Sequence, residues 1–157
     1  MVYQENTRWR YGSRFAVSGL LHAVMLLLFA LSMSQPVNAQ QLRNKSNMLI
    51  GTIATDGVVR DNYNRQVGKI SSDGVIRNSS NIQIGKIQSD GVVRNQYNAQ
   101  IGRVQSDGTV RDKNNAQIGR VQPDGTVRDR NNTLLGSAKG VKPEWAAVAF
   151  FFFFDLL

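Results

Sequence analysis

Ile118-Gly119-Arg120-Val121-Gln122-Pro123-Asp124-Gly125-Thr126-Val127-Arg128-Asp129-Arg130-Asn131-Asn132-Thr133-Leu134 holds two turns and the short runs that join them. In Gln122-Pro123-Asp124-Gly125 the proline suits the fixed φ of a second turn residue, the aspartate suits the third, and the glycine suits a left-handed fourth. That is a type I turn with a following bulge, the connection of a tight hairpin. The other turn runs from Asp129 to Asn132. Its final asparagine takes the part of glycine, being the non-glycine residue that most readily accepts a positive φ.

Working outward, the same 17 residues recur without insertion or deletion. The starts are Ile50-Gly51, Val67-Gly68, Ile84-Gly85, Ile101-Gly102, Ile118-Gly119 and the partial copy Leu135-Gly136. They enclose five complete units. With the first aliphatic residue as position 1, the unit has Gly at 2, Ile or Val at 4, Asp-Gly at 7 and 8, Val or Thr at 9, Val or Ile at 10, Arg at 11, Asp or Asn at 12 and Asn at 15. One pattern that fits five copies implies five equivalent environments. Two turns per unit predict a meander of ten short strands.

Pairing across those turns predicts which side chains meet. With the bulge at the Asp-Gly turn, position 4 faces position 10, and across the Asn turn position 10 is expected to face position 1 of the next unit. Positions 1 and 4 have opposite parity in a regular strand. Pointing both inward therefore needs a bend, expected at the glycine of position 2, as at Gly68. No unit buries enough apolar surface to fold alone, so the units must stack or close. Closure into a five-fold ring is the favoured reading, because it removes exposed sheet edges and gives the partial copy at Leu135-Gly136 a partner. The fold class is thus all-β.

The flanks complete the organisation. Arg8, Arg10 and Arg14 precede an apolar run from Phe15 to Met33, and Val37-Asn38-Ala39 offers small residues for cleavage. Residues 1–39 are read as a signal peptide, 40–49 as a lead-in, 50–136 as the repeat domain and 137–157 as a C-terminal apolar segment. The rival for the first segment is an uncleaved anchor. Trp9 separates two of the arginines, which argues against a twin-arginine signal. The tail opens on Pro143-Glu144, a helix start, and runs through Trp145 to Phe154. It is too short to cross a membrane as a helix, and reads as a helical plug or lid on the ring, with a membrane foot or partner-docking segment as alternatives.

Here the unit Ile-Gly-x-Ile-x-x-Asp-Gly-x-Val-Arg-Asp-x-x-Asn, behind a leader and before an Ala/Phe-rich tail, resembles the secreted five-fold beta-flower proteins of Bacteroides-like bacteria. The resemblance covers essentially the whole body of the chain. It implies a closed, petalled β assembly and an exported location (periplasm, cell surface or medium), and it carries no activity or site residues.

Composition narrows the function. Nineteen Lys and Arg against eleven Asp and Glu give +8, and removal of the leader leaves sixteen against ten, or +6 over 118 residues. The leader also takes His22, the only histidine, and the chain has no cysteine. The usual neutral-pH general base, the usual zinc ligands and the Ser/His/Asp and Cys/His arrangements are then all missing. The chain is read as a non-enzymatic scaffold or binding protein of the bacterial envelope, with no cofactor and no metal. Its alternative is a membrane-associated module held by the tail or an uncleaved N terminus. Arg60, Arg77, Arg94, Arg111 and Arg128, at position 11 of every unit, form the candidate anion-binding set, joined at position 3 by Lys69, Lys86, Arg103 and Arg120. The bland alternative is that each arginine serves its own hairpin. Asp56, Asp73, Asp90, Asp107 and Asp124 read as turn caps, since identical acids lack the asymmetry of acid and base roles. An anionic glycan or another envelope protein is the expected class of partner, nucleic acid is not favoured, and membrane association through the tail stays open.

Overall fold

A computed structural model describes residues 39–154 and Leu156. Apart from Ala39, the expected leader lies outside the described residues. Twelve short strands follow one another: β1 (Gln40–Asn44), β2 (Leu49–Ile53), β3 (Val58–Asp61), β4 (Gln66–Ile70), β5 (Val75–Asn78), β6 (Gln83–Ile87), β7 (Val92–Asn95), β8 (Gln100–Val104), β9 (Thr109–Asp112), β10 (Gln117–Val121), β11 (Thr126–Asp129) and β12 (Leu134–Ser137). Each pairs antiparallel with its chain neighbours, and β1 pairs with β12, so the sheet closes into a barrel without edges.

The two turns behave as their residues dictate. At the Asp-Gly turn, Gly125 has φ 82° and its N–H donates to the Gln122 carbonyl at 2.9 Å. At the Asn turn, Asn132 has φ 65° and its N–H donates to the Asp129 carbonyl at 3.1 Å. The Asp129 carboxylate also accepts from the Asn131 and Thr133 N–H groups, both at 2.8 Å. Asp-Gly turns collect at one end of the barrel and Asn turns at the other.

The expected ten strands become twelve because the repeat extends past both of its assigned limits. Asn47 also has φ 63°, and the Asn44 side chain accepts from the Ser46 and Met48 N–H groups at 3.0 Å, so residues 44–48 form a sixth Asn turn. The lead-in is therefore the second half of a unit, with Leu42 at position 10, and β12 is the first half of another. They complete each other: Ser137↔Arg43 and Gly136↔Asn44 repeat the register of Thr52↔Arg60 and Gly51↔Asp61.

Position 4 faces position 10 as expected, in Ile53↔Val59, Ile70↔Ile76 and their equivalents. Across the Asn turn the expectation is corrected. Position 10 faces the glycine at position 2, as in Val59↔Gly68, and the next pair is Arg60↔Gln66. Val67 at position 1 is thus the extra residue of a β-bulge, which brings it half-buried against the core while Ile70 is also inside. The bend falls one residue before the glycine.

A barrel of eight strands can be filled by its own side chains, whereas twelve strands enclose a wider lumen. Here the aliphatic residues of positions 4 and 10 line the wall, and the tail fills the space. After β12 the chain turns and forms α1 (Pro143–Ala147), with proline in its first turn, and then a π-helical turn over Val148–Phe152. Trp145 through Phe150 are buried in the same cluster as Ile53, Val59, Ile70 and Ile76. The tail is a plug.

The run of phenylalanines has a particular partner set. A Cβ built on Gly102 would stand 2.5 Å from Cε1 of Phe152, and one on Gly85 would stand 2.6 Å from Cε1 of Phe153. Gly119 is matched in the same way to Phe151, Gly136 to Phe150 and Gly68 to Phe154, while Gly51 faces Leu156. Five consecutive rings thus serve five successive position-2 glycines, in the order opposite to the strands. An α-helix turns about 100° per residue, too far for adjacent residues to reach adjacent strand pairs. The wider i→i+5 winding, visible where the Phe153 N–H donates to the Val148 carbonyl at 3.1 Å, shortens that step. The position-2 glycine is therefore a slot for a ring, as well as a neighbour of the bulge.

These strands of four and five residues are about half the length that a membrane-spanning strand needs, about 9–11 residues. Among the described residues no helix is long and apolar enough to cross a membrane. Among the described residues of the tail no apolar segment is left free for a membrane foot, because Phe150 to Phe154 pack against the inside of the barrel.

Candidate functional site

Since positions 2, 4 and 10 point inward, positions 3, 9 and 11 form the outer wall. The five position-11 arginines consequently sit on five different strand pairs and diverge; they do not converge on one point. Each uses Nη1 to donate to the carbonyl of the closing asparagine of its own turn: Arg60 to Asn64, Arg77 to Asn81, Arg94 to Asn98, Arg111 to Asn115 and Arg128 to Asn132, at 2.8–3.1 Å. Arg94 and Arg111 also donate from Nε to Gln88 and Gln105, at 3.2 and 3.1 Å. Each arginine thus serves its own hairpin, and does so through neutral acceptors. Among the described residues none of the five forms an ion pair with a carboxylate.

The structure brings the position-3 cations directly opposite them. The cross-strand pairs are Lys69↔Arg77, Lys86↔Arg94, Arg103↔Arg111 and Arg120↔Arg128. Like charges placed directly opposite are destabilising, by a few tenths to about 1 kcal/mol per pair. Two position-3 arginines find partial relief at the preceding unit's turn, Arg103 with Asp90 and Arg120 with Asp107, both at 3.6 Å and exposed, so they are worth little. Thr52 and Ser137 hold the same position opposite Arg60 and Arg43. The register therefore does not require a cation there. The direct opposition of positions 3 and 11 belongs to the same ladder that sets position 4 opposite position 10.

The position-7 aspartates cap their turns. Each accepts from the N–H two residues on, from Val58 onto Asp56 at 3.1 Å to Thr126 onto Asp124 at 2.8 Å. The N–H and hydroxyl of Thr109 hold the Asp107 carboxyl below the usual range, with burial opposing and Arg120 adding a smaller effect. Thr126 does the same for Asp124. For Asp61 burial raises the pKa, but hydrogen bonds from Arg65 and Tyr63 together outweigh it, and the result is again lowered. A folded pKa below the unfolded one contributes stability that is whole above the unfolded value and is lost as pH falls through the folded one. The melting temperature is expected to hold steady down to about pH 5 and to drop below about pH 4. Asp107→Asn with Asp124→Asn keeps the acceptor for the Thr109 and Thr126 N–H groups without the titration, and a pH series of thermal melts should show a shallower acid limb for that variant.

A family model described as "5-fold beta-flower protein" matches residues 39–154, from the residue before β1 to the last buried phenylalanine. The chain belongs to the 5-fold beta-flower family. No curated protein and no solved structure matches it. The matched span shows that the plug belongs to the beta-flower unit along with its strands.

Proposed function

We propose that this beta-flower protein is an exported, non-enzymatic scaffold of the bacterial envelope that binds an anionic polymer along its outer wall. The observation that carries the reading is the set of four like-charge cross-strand pairs, a cost that the fold avoids at Thr52 and Ser137 by using neutral residues at the same position. Residues kept against the interest of stability are best explained by what they meet. The arginines are also held by neutral carbonyls, so their charge stays uncompensated and their forks stay ordered before any anion arrives. Export is supported by the basic and apolar leader with its small-residue cleavage pattern. A non-enzymatic role is supported by a body without histidine or cysteine.

Binding to an anionic glycan such as dextran sulfate or alginate should weaken steeply as salt rises. Lys86→Thr with Arg120→Thr removes two of the four pairs. This variant is expected to melt no lower than the parent and to lose several-fold in affinity at low salt. Unchanged affinity in the variant would remove the wall from the proposal.

A further inference from the structure

The Asp-Gly end of the barrel is not uniform. The plug enters there, and a cleft of about 710 Å³ remains between the start of α1 and the turns of the second, third and fourth units. Its lining includes Asp73, Gln88, Ser89, Asp90, Ser106 and Trp145. A second hollow of about 290 Å³ continues it past Asp56 and shares Ser72, Lys142 and Trp145. The larger volume lies in the range of small-ligand sites, about 300–1,000 Å³.

A difference at position 9 decides which turn carboxylates are available to this cleft. In the fourth and fifth units position 9 is threonine, and the Thr109 and Thr126 hydroxyls each donate to Oδ2 of Asp107 and Asp124 at 2.9 Å. In the first three units position 9 is Val58, Val75 and Val92, so the backbone N–H reaches Oδ1 and no hydroxyl competes for Oδ2. The turn aspartates that line the two hollows are Asp56, Asp73 and Asp90, the ones beside valine. The hydroxyl-satisfied acids do not line them.

We propose that this cleft binds a neutral oligosaccharide, with the second carboxylate oxygens of Asp73 and Asp90 accepting from sugar hydroxyls, that of Asp90 alongside Arg103 Nη2 at 3.6 Å. Vicinal hydroxyls both donate and accept, and the cleft matches them with carboxylate acceptors, serine hydroxyls and the Gln88 amide, whose oxygen is already taken by Arg94 so that its N–H₂ faces outward as donor. The charges argue for a neutral ligand, because Asp73, Asp90 and Glu144 stand against Arg103 and Lys142, and Arg103 lies 3.6 Å from Asp90. Trp145 supplies an apolar floor. Its face is covered by the Lys142 ammonium, 4.9 Å from the ring centroid, so the indole offers packing to a sugar and not an open stacking platform. The same Ser-Asp-Gly turn recurs in adjacent units, which suits a ligand that itself repeats.

The cleft shares Arg103 with the wall, so salt dependence and the choice of variant keep the two kinds of binding apart. The protein is titrated with cellotetraose, maltotetraose and chitotetraose and followed by amide NMR. At least one sugar should shift the Asp-Gly turns of the first three units and residues 142–145, with little change between low and high salt. Val75→Thr with Val92→Thr installs the hydroxyls that Thr109 and Thr126 already provide. It should leave melting nearly unchanged and weaken binding at least about tenfold, since a charge-assisted hydrogen bond is lost at each of two carboxylates. Silence of all three sugars overturns the ligand class. Undiminished binding by the threonine variant overturns the role of the two carboxylates.

Discussion

A chain that stops at Lys142 is expected to lose the folded barrel altogether. The wall contributes the aliphatic side chains of positions 4 and 10, with position 1 half-buried beside them, and these face a lumen too wide for them to meet across. Trp145, Ala146, Ala147, Val148, Ala149 and Phe150 are all buried in that lumen and supply the other half of the core. Without them every inward face of the wall meets water or collapses. The truncated protein should show no cooperative thermal transition, a featureless near-ultraviolet circular dichroism spectrum and dye binding typical of a loosely packed state. A truncated chain that melts cooperatively would make the tail a lid and not a core.

The second large effect is expected at the glycine slots. Gly102→Ala places a methyl group 2.5 Å from Cε1 of Phe152 and against the Arg111 carbonyl, neither of which has room to give. Overpacking of this kind costs about 1–3 kcal/mol. Phe152→Ala alone should cost about 3 kcal/mol, at the low end for a phenylalanine because the ring is half-buried. If the ring and the glycine are matched, the double variant will be less destabilised than the sum of the two, by about 1 kcal/mol. Gly51→Ala is the control, since its methyl would also meet a backbone carbonyl but lies 3.6 Å from Leu156 in place of a ring. Trp145, the only tryptophan outside the leader, gives a fluorescence signal for all four unfolding curves. Strict additivity would mean that the phenylalanines fill space without regard to the slots.

The repeat was legible because its turns are written in residues with few other uses. Asp-Gly and the closing asparagine each demand a left-handed backbone, so their spacing gave strand number per unit and the 4-to-10 pairing. The N-terminal half-unit was hidden, since β1 and its turn keep only Leu42, Arg43, Asn44 and Asn47 of the pattern, whereas its C-terminal counterpart showed as the partial copy at Leu135-Gly136. Register across the Asn turn was also hidden. A bulge shifts pairing by one residue, and nothing in Gln66-Val67-Gly68 says which of them is extra. The run of five phenylalanines and the six position-2 glycines are both plain in the sequence, but no local rule connects a segment to slots spread around the barrel. For the candidate sites, the basic residues were visible, and their opposition follows from the 4-to-10 pairing that the turns also gave. The alternation of valine and threonine at position 9 was on the page as well. It gains meaning only once Asp Oδ2 and the mouth cleft are seen at the same end.

The division of the sixth strand pair between β1 and β12, with the plug following β12, fixes an order of events during synthesis. Every strand leaves the ribosome before the segment that fills the barrel, and the seam joins the first strand to the last. Hairpins can form locally as each Asp-Gly turn emerges, yet none has a core to dock on, and the sheet stays open until Gly136 and Ser137 reach Asn44 and Arg43. Folding of this chain is therefore all-or-none in time as well as in space. The nascent protein remains a string of weak hairpins until its aromatic plug is released, the condition in which a chain passes most easily through a narrow translocation channel.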